Sequence, residues 1–184
     1  DEIVHQSSQG SGTITLGASG ETITTASGAK FSGITGQNYP AFEAYVSTSS
    51  TSITNNTQTK VQADTESFDT DSCYDNSTNY RFTPNVAGKY FVYAQVKCKG
   101  SAVSRLAQAK SYIKKNGSVH TIGEHQFHNN YAFISMPVAV AIVDMNGSSD
   151  YLEMFTVIDD TSSSPVYLGG SDRITKFGAY RIGS

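Results

Sequence analysis

"GKYFVYAQVKC", residues 88–98, alternates strictly. Tyr90, Val92, Ala94, Val96 and Cys98 fall on one side, with Gln95 and Lys97 among the residues between them. A period of two with one apolar side is the signature of a half-buried β-strand. Similar segments surround it. "AFEAYVS" (41–47), "YAFISMPVAVAIV" (131–143), "DYLEMFTVI" (150–158) and "RITKFGAYRI" (173–182) are apolar-rich and strand-like, and "SFD" (67–69) and "YRFTP" (80–84) flank a polar loop. "SYIKKNGSVHTI" (111–122) carries Asn116-Gly117, the pair suited to a type I′ hairpin turn that matches strand twist. "AVSRLAQAKSYIKK" (102–115) also fits a helical face through Val103, Leu106, Ala107 and Ile113, and is read as strand.

About ten strands and no convincing helix predict an all-β jelly-roll sandwich over residues 41–184. Strands apolar on one face must pack on a second sheet.

Composition narrows the function. The chain has 184 residues, a net charge of −3, and only 16% charged residues, with no Lys/Arg run. Nucleic acid is therefore not an expected partner. The longest apolar run, "AFISMPVAVAIV", is 12 residues and contains Pro137, short of the ~20 residues of a membrane helix, so no membrane insertion is expected. The chain begins at Asp1 with no signal peptide in view, which reads as a processed chain or part of a longer one.

Residues 1–36 are different. They are rich in Gly, Ser and Thr, and "ASG" recurs at 18–20 and 26–28. Ile14, Leu16, Ile23, Phe31 and Ile34 are the main large apolar groups. Pieces of three or four residues cannot bury these by folding on themselves, since ordering costs ~1–2 kcal/mol per residue. A disordered linker is one reading. The favoured one is a short-stranded β stalk whose core is shared by several copies, because repeated short units gain stability by joint burial. Residues 37–40, "QNYP", form the joint.

The head carries a resemblance. Ala41-Phe42, Phe68-Asp69, Tyr74-Asp75, Phe82-Thr83-Pro84, Gly88, Tyr90-Phe91-Val92, the Lys-Asn-Gly hairpin, "NGSSDYLEM" and the closing Phe177, Gly178 and Tyr180 resemble the globular head of the first complement component's q subunit, within the tumour necrosis factor-like jelly-roll superfamily. The match covers residues 40–184. The resemblance implies a homotrimer with aromatic residues in the contact, assigned here to Phe42, Tyr45, Phe177 and Tyr180. The stem is not a collagen repeat, because its glycines do not fall every third residue. It is similar to stretches of bacteriophage virion proteins, notably marine tail fibres. Together these imply a virion fibre, extracellular, whose upstream region joins other tail or capsid proteins and whose head binds a host cell-surface receptor, a glycan or outer-membrane component. The alternatives are a capsid decoration or head fibre without receptor role, and a secreted cytokine-like or lectin-like ligand.

Aromatic and polar loop residues are the receptor-binding candidates: Tyr74, Asp75, Asn76, Tyr80, Tyr131 and Tyr167. Catalysis is not expected, since no nucleophile elbow, zinc-protease pair or phosphate loop occurs. No cofactor is expected. His120, Glu124, His125 and His128 read as polar loop residues rather than metal ligands. Asp69, Asp71 and Asp75 are a weak calcium set, weighed against a solvated Asx-rich turn. Cys73 and Cys98 are either a disulfide or separate thiols, Cys98 being placed as a small core residue. Sequons stand at Asn55, Asn76, Asn116 and Asn146; on a virion they are bare turns.

Overall fold

The alternation along residues 88–98 holds in the computed structural model, which describes residues 40–129, 131–162 and 166–183. Tyr90, Val92, Ala94, Val96 and Cys98 are all fully buried. The stalk readings at Ile14, Leu16, Ile23, Phe31 and Ile34, and residues 37–39 of the joint, lie outside the described residues; Pro40, the last residue of the joint, is buried.

Fifteen strands follow in chain order: β1 (Ala41–Tyr45), β2 (Thr51–Ile53), β3 (Thr59–Lys60), β4 (Thr65–Asp69), β5 (Tyr74–Asp75), β6 (Arg81–Phe82), β7 (Ala87–Gln95), β8 (Lys97–Lys99), β9 (Leu106–Lys115), β10 (Ser118–Gln126), β11 (Ile134–Ser135), β12 (Val138–Asn146), β13 (Leu152–Asp160), β14 (Val166–Gly169) and β15 (Lys176–Gly183). Among the described residues the only helical piece is a short 3-10 turn at Ser171–Arg173. The first sheet runs β12-β7-β15-β1-β4. The second runs β10-β9-β13-β6-β5, with β3 also on β13. A third runs β11-β8-β14-β2. This is the all-β sandwich expected, with more and shorter strands than the ten anticipated.

The extra strands have a physical origin. Residues 88–98 do not stay in one sheet: the chain leaves the first sheet after Gln95 and enters the third at Lys97. Its neighbour turns at the same level, where Val96 N donates to Pro137 O at 3.3 Å. Pro137 has no N–H to continue a ladder, so "YAFISMPVAVAIV" splits into β11 and β12. The segment 102–115 is strand from Leu106, and the β9–β10 hairpin turns at Asn116 and Gly117, both with positive φ (52° and 78°) as a type I′ turn requires.

The core lies between the first two sheets and is organised by rings. Phe42 stacks on Phe82 with centroids 4.4 Å apart and on Tyr74 at 4.6 Å, and meets Phe177 edge-on at 5.1 Å. Phe82 in turn meets Tyr90 at 5.8 Å. Offset and edge-to-face pairs of this kind add stability beyond their area. Ser111 Oγ crosses between the sheets to donate to Ala94 O at 2.8 Å. On one flank β10 crosses close to β12, where Gly123 leaves no room for a side chain: a Cβ there would sit 2.0 Å from Val138 O.

Phe42→Ala removes the ring shared by these contacts. A loss of about 3–5 kcal/mol is expected, measured as a lower midpoint in urea at unchanged slope.

Candidate functional site: an outward apolar sheet face and a polar cleft

The register of the first sheet decides what it shows to solvent. With Tyr90, Val92 and Ala94 turned inward, Phe91, Tyr93 and Gln95 turn outward. Their neighbours on β12 and β15 form rows across the sheet. Ile142, Phe91 and Tyr180 stand side by side, and so do Val140, Tyr93 and Gly178. Ile142 is 60% exposed and Val140 54%. Val138, Tyr180, Ile182 and Phe68 are exposed too. A solvated face of an antiparallel sheet is ordinarily polar, and a continuous apolar face marks an interaction surface.

Two details make this face smooth. Gly178 leaves a hollow that the Tyr93 ring fills, since a Cβ there would lie 2.4 Å from the ring. The Tyr93 hydroxyl then donates to Glu43 Oε2 at 2.6 Å, and Ser67 Oγ donates to Glu43 Oε1 at 3.0 Å. Burial, then the bond to Glu43, raises the Tyr93 pKa well above the ordinary phenol value.

The expected head contacts divide. Phe42 and Phe177 are enclosed in the core, so they are corrected from surface contacts to packing residues. Their strand parity points them inward. Tyr45 is half-buried, with the Arg173 guanidinium 5.0 Å from its ring centroid. Tyr180 is exposed on the apolar face, 5.3 Å from Phe91.

A cleft of about 440 Å3 opens at another part of the head, a size typical of ligand sites. Val46, Ile53 and Leu168 are its apolar lining. Thr48, Thr51, Ser52, Thr59 and Gln62 supply polar side chains, and Lys60, Asp64 and Tyr80 complete it. Tyr80 is held at φ 50°, an unusual conformation for a bulky residue. Lys60 braces the adjoining turn by pairing with Glu153 at 2.5 Å and donating to Asn79 O at 3.0 Å. Burial opposes ionisation of Asp64, but bonds from Ser47 N, Ser47 Oγ and Thr65 outweigh it and lower its pKa.

Of the receptor candidates, Tyr80 lines the cleft. Tyr74 does not reach the surface: it is 6% exposed, stacks on Phe42 and donates its hydroxyl to Ala63 O at 3.0 Å. That reading is corrected. Asp75 is engaged by its own turn, accepting from the N–H groups of Ser77, Thr78 and Asn79 and from Asn79 Nδ2. The bonds from Thr78 and Ser77 N–H hold its carboxyl far below the usual carboxylate range. Asn76 is half-buried in the same turn and Tyr131 is exposed elsewhere; neither lines the cleft. Tyr167 sits on β14 opposite Ser52 and Lys99, and its side chain lies outside those described.

The other candidates are also placed. Asp69 Oδ2 accepts from Tyr74 N at 2.8 Å, while its Oδ1 is buried without a partner. Among the described residues no three His, Cys, Asp or Glu side chains are grouped to hold a metal, so Asp69, Asp71 and Asp75 are not brought together, nor are His120, His125 and His128. His125 Nδ1 lies 2.7 Å from Ser135 Oγ, and Glu124 turns instead to Gln108 and Lys110. Cys73 and Cys98 are free and buried, and burial pushes the Cys98 thiol up to about 12. Three sequon amides are in use within the fold. Asn55 bonds the Asp160 backbone, Asn116 bonds Asp150 and the Tyr151 N–H, and Asn146 caps the turn 146–150. Among the described residues the Asn76 side chain has no such bond.

The apolar face and the cleft were missed at residue level in the sequence. For the face a signal existed: "VAVAIV" (138–143) is apolar on both parities, as a strand buried on both sides would be. For Lys60, Gln62 and Asp64 no local pattern exists, because the cleft is assembled from distant segments.

No family model matches the chain, and no curated protein matches it. Solved structures do. The globular domain of zebrafish complement 1qA protein aligns with a TM-score of 0.53 at 14% identity, covering 78% of this chain and 97% of that one. Eiger TNF from S. frugiperda aligns at 0.58 and 8% identity, covering 80% and 95%. Murine APRIL at pH 5.0 aligns at 0.55 and 12% identity, covering 77% and 98%. The likeness is one of fold: the described residues form a jelly roll of the complement-q and tumour necrosis factor type.

Asp75→Ala is expected to free the amides of Ser77, Thr78 and Asn79, read as faster hydrogen exchange there at neutral pH while β7 and β9 stay protected. Because the folded-state pKa of Asp75 is depressed, its support is complete above the ordinary aspartate range. It is lost as pH falls through the lowered value.

Proposed function

We propose that this chain is the head of a trimeric virion fibre that binds a glycan on a host cell surface, without catalysis. The observation that carries the reading is the outward apolar face of the first sheet. Ile142, Val140, Phe91, Tyr93 and Tyr180 form a patch that three copies would bury around a common axis, the arrangement the family resemblance implies. Residues 1–36 would then continue as a stalk shared by the three chains, and the region upstream would join the virion. The cleft supports the binding half of the reading. Hydroxyl and amide donors around an apolar lining, with Tyr80 at the wall, suit the mixed polar and apolar surface of a sugar ring. Three clefts on one particle would multiply weak individual contacts by avidity.

A secreted, cytokine-like ligand is the second reading, and the Asn76 side chain favours it. It is the one described sequon amide without a hydrogen bond in the fold, so it is the position open to a glycan. Mass spectrometry of the natural protein decides this: a glycan on Asn76 supports the secreted ligand and removes the virion reading.

Ile142→Glu with Val140→Glu would place charges on the contact. Sedimentation is expected to find trimer for the native chain and monomer for the variant, with the β-sheet circular dichroism kept. Tyr80→Ala is expected to leave the trimer intact and lower attachment to host cells about tenfold or more. Attachment unchanged by Tyr80→Ala would remove the cleft from the receptor site, and a native chain that stays monomeric would remove the fibre.

A further inference from the structure

The cleft carries a charge that the glycan reading leaves unassigned. Val61 and Ala63 are buried, so Lys60, Gln62 and Asp64 turn outward together, and all three line the cleft. A cation, an amide and a carboxylate thus stand in one row.

The cation is already neutralised. Lys60 Nζ lies 2.5 Å from Glu153 Oε1, and Glu153 is itself buried. A second of its three N–H donors goes to Asn79 O at 3.0 Å.

The carboxylate has only uncharged partners. Ser47 N and Thr65 Oγ1 donate to Asp64 Oδ1 at 2.8 and 3.2 Å, and Ser47 Oγ donates to Oδ2 at 2.8 Å. Among the described residues no cation forms an ion pair with Asp64. A carboxylate offers roughly four lone-pair positions, so Oδ2 keeps one for a ligand. Burial opposes ionisation of Asp64, but these bonds lower its pKa, and the group stays charged at mildly acid pH. A smaller cavity of about 150 Å3 lies across the β2–β14 rim, where Ser50 and Gly169 adjoin Thr51 and Leu168 of the cleft; Lys97 and Lys99 line it and no carboxylate does. The negative charge belongs to the cleft.

That charge decides what the cleft accepts. An acidic saccharide would set its carboxylate or sulfate against Asp64, a repulsion that grows as water is displaced. A protonated amine on a sugar ring instead gives Oδ2 a charge-assisted bond. A neighbouring hydroxyl can accept the remaining Lys60 N–H, and Val46, Ile53 and Leu168 meet the apolar side of the ring.

We infer that the cleft selects a glycan containing a free amino sugar, whose ammonium pairs with Asp64. The inference rests on the glycan reading above and names its ligand class.

Calorimetry on the full chain at mildly acid pH tests it with three probes: chitosan oligosaccharides for the free amine, their N-acetylated counterparts for the amide, and alginate oligosaccharides as the acidic arm. The amine probe is expected to bind about tenfold more tightly than the other two, with the advantage falling as salt rises. Asp64→Asn keeps an acceptor for the Ser47 N–H and removes the charge. It should cancel the advantage while the β-sheet circular dichroism and the trimer are kept. If Asp64→Asn does not fold, Gln62→Lys takes its place, setting a cation beside the intact carboxylate, with the same loss expected. If amine and acetylated probes bind alike, if alginate binds best, or if the advantage survives the substitution, the amino-sugar inference is overturned while the cleft reading stands. If no probe binds, the inference is likewise overturned, and host-cell attachment unaffected by Tyr80→Ala overturns the cleft reading separately.

Discussion

The packing of the Phe42 ring is the contact on which the rest of the head depends. Three other rings, Tyr74, Phe82 and Phe177, close around it, and they come from strands of both main sheets. With Phe42 turned inward, the parity of β1 is fixed, and with it the direction of Glu43 and Tyr45. Cross-strand pairing transmits the same parity to β15 and β7, because a slip of one residue would exchange the faces of each strand. The outward rows at Ile142, Phe91 and Tyr180 are therefore a consequence of the core. The sequence cannot have the ring cluster inside without showing this apolar set outside.

Sheet switching builds the end of the head that carries the small cavity. Residues 88–98 keep one alternation throughout, yet pass from the first sheet to the third between Gln95 and Lys97. The inward side stays buried across the junction, from Val96 to Cys98. The outward side changes from Tyr93 and Gln95, on the apolar face, to Lys97 and Lys99, beside the small cavity. One regular strand pattern thus supplies residues to two surfaces of different chemistry.

The core strands were legible because their signal is local. Alternation in 88–98 and the Asn116-Gly117 turn required only neighbouring residues. Tyr74 and Phe42 were misplaced for the same reason. An aromatic next to Asp75 and Asn76 reads as a loop residue until the stack on Phe42 is seen, and Phe42 reads as a contact until its parity is fixed by Ala41 and Tyr180 being paired. Pro137 interrupts an apolar run in the sequence, but its role as a junction appears only once Val96 is found opposite it. The cleft was least legible. Lys60, Asp64, Tyr80 and Leu168 are brought together by loop paths that no periodicity encodes.

Gly123 has a consequence for how copies of this head can meet. Where β10 crosses β12 with no side chain between their backbones, each shields the other's unpaired margin. A strand from a second molecule therefore finds no open ladder to extend along that flank. Growth by adding strand to strand, which has no natural stopping point, is closed off there. The flat side of the first sheet offers a different geometry, since a contact between flat sides about an axis ends when the ring is complete.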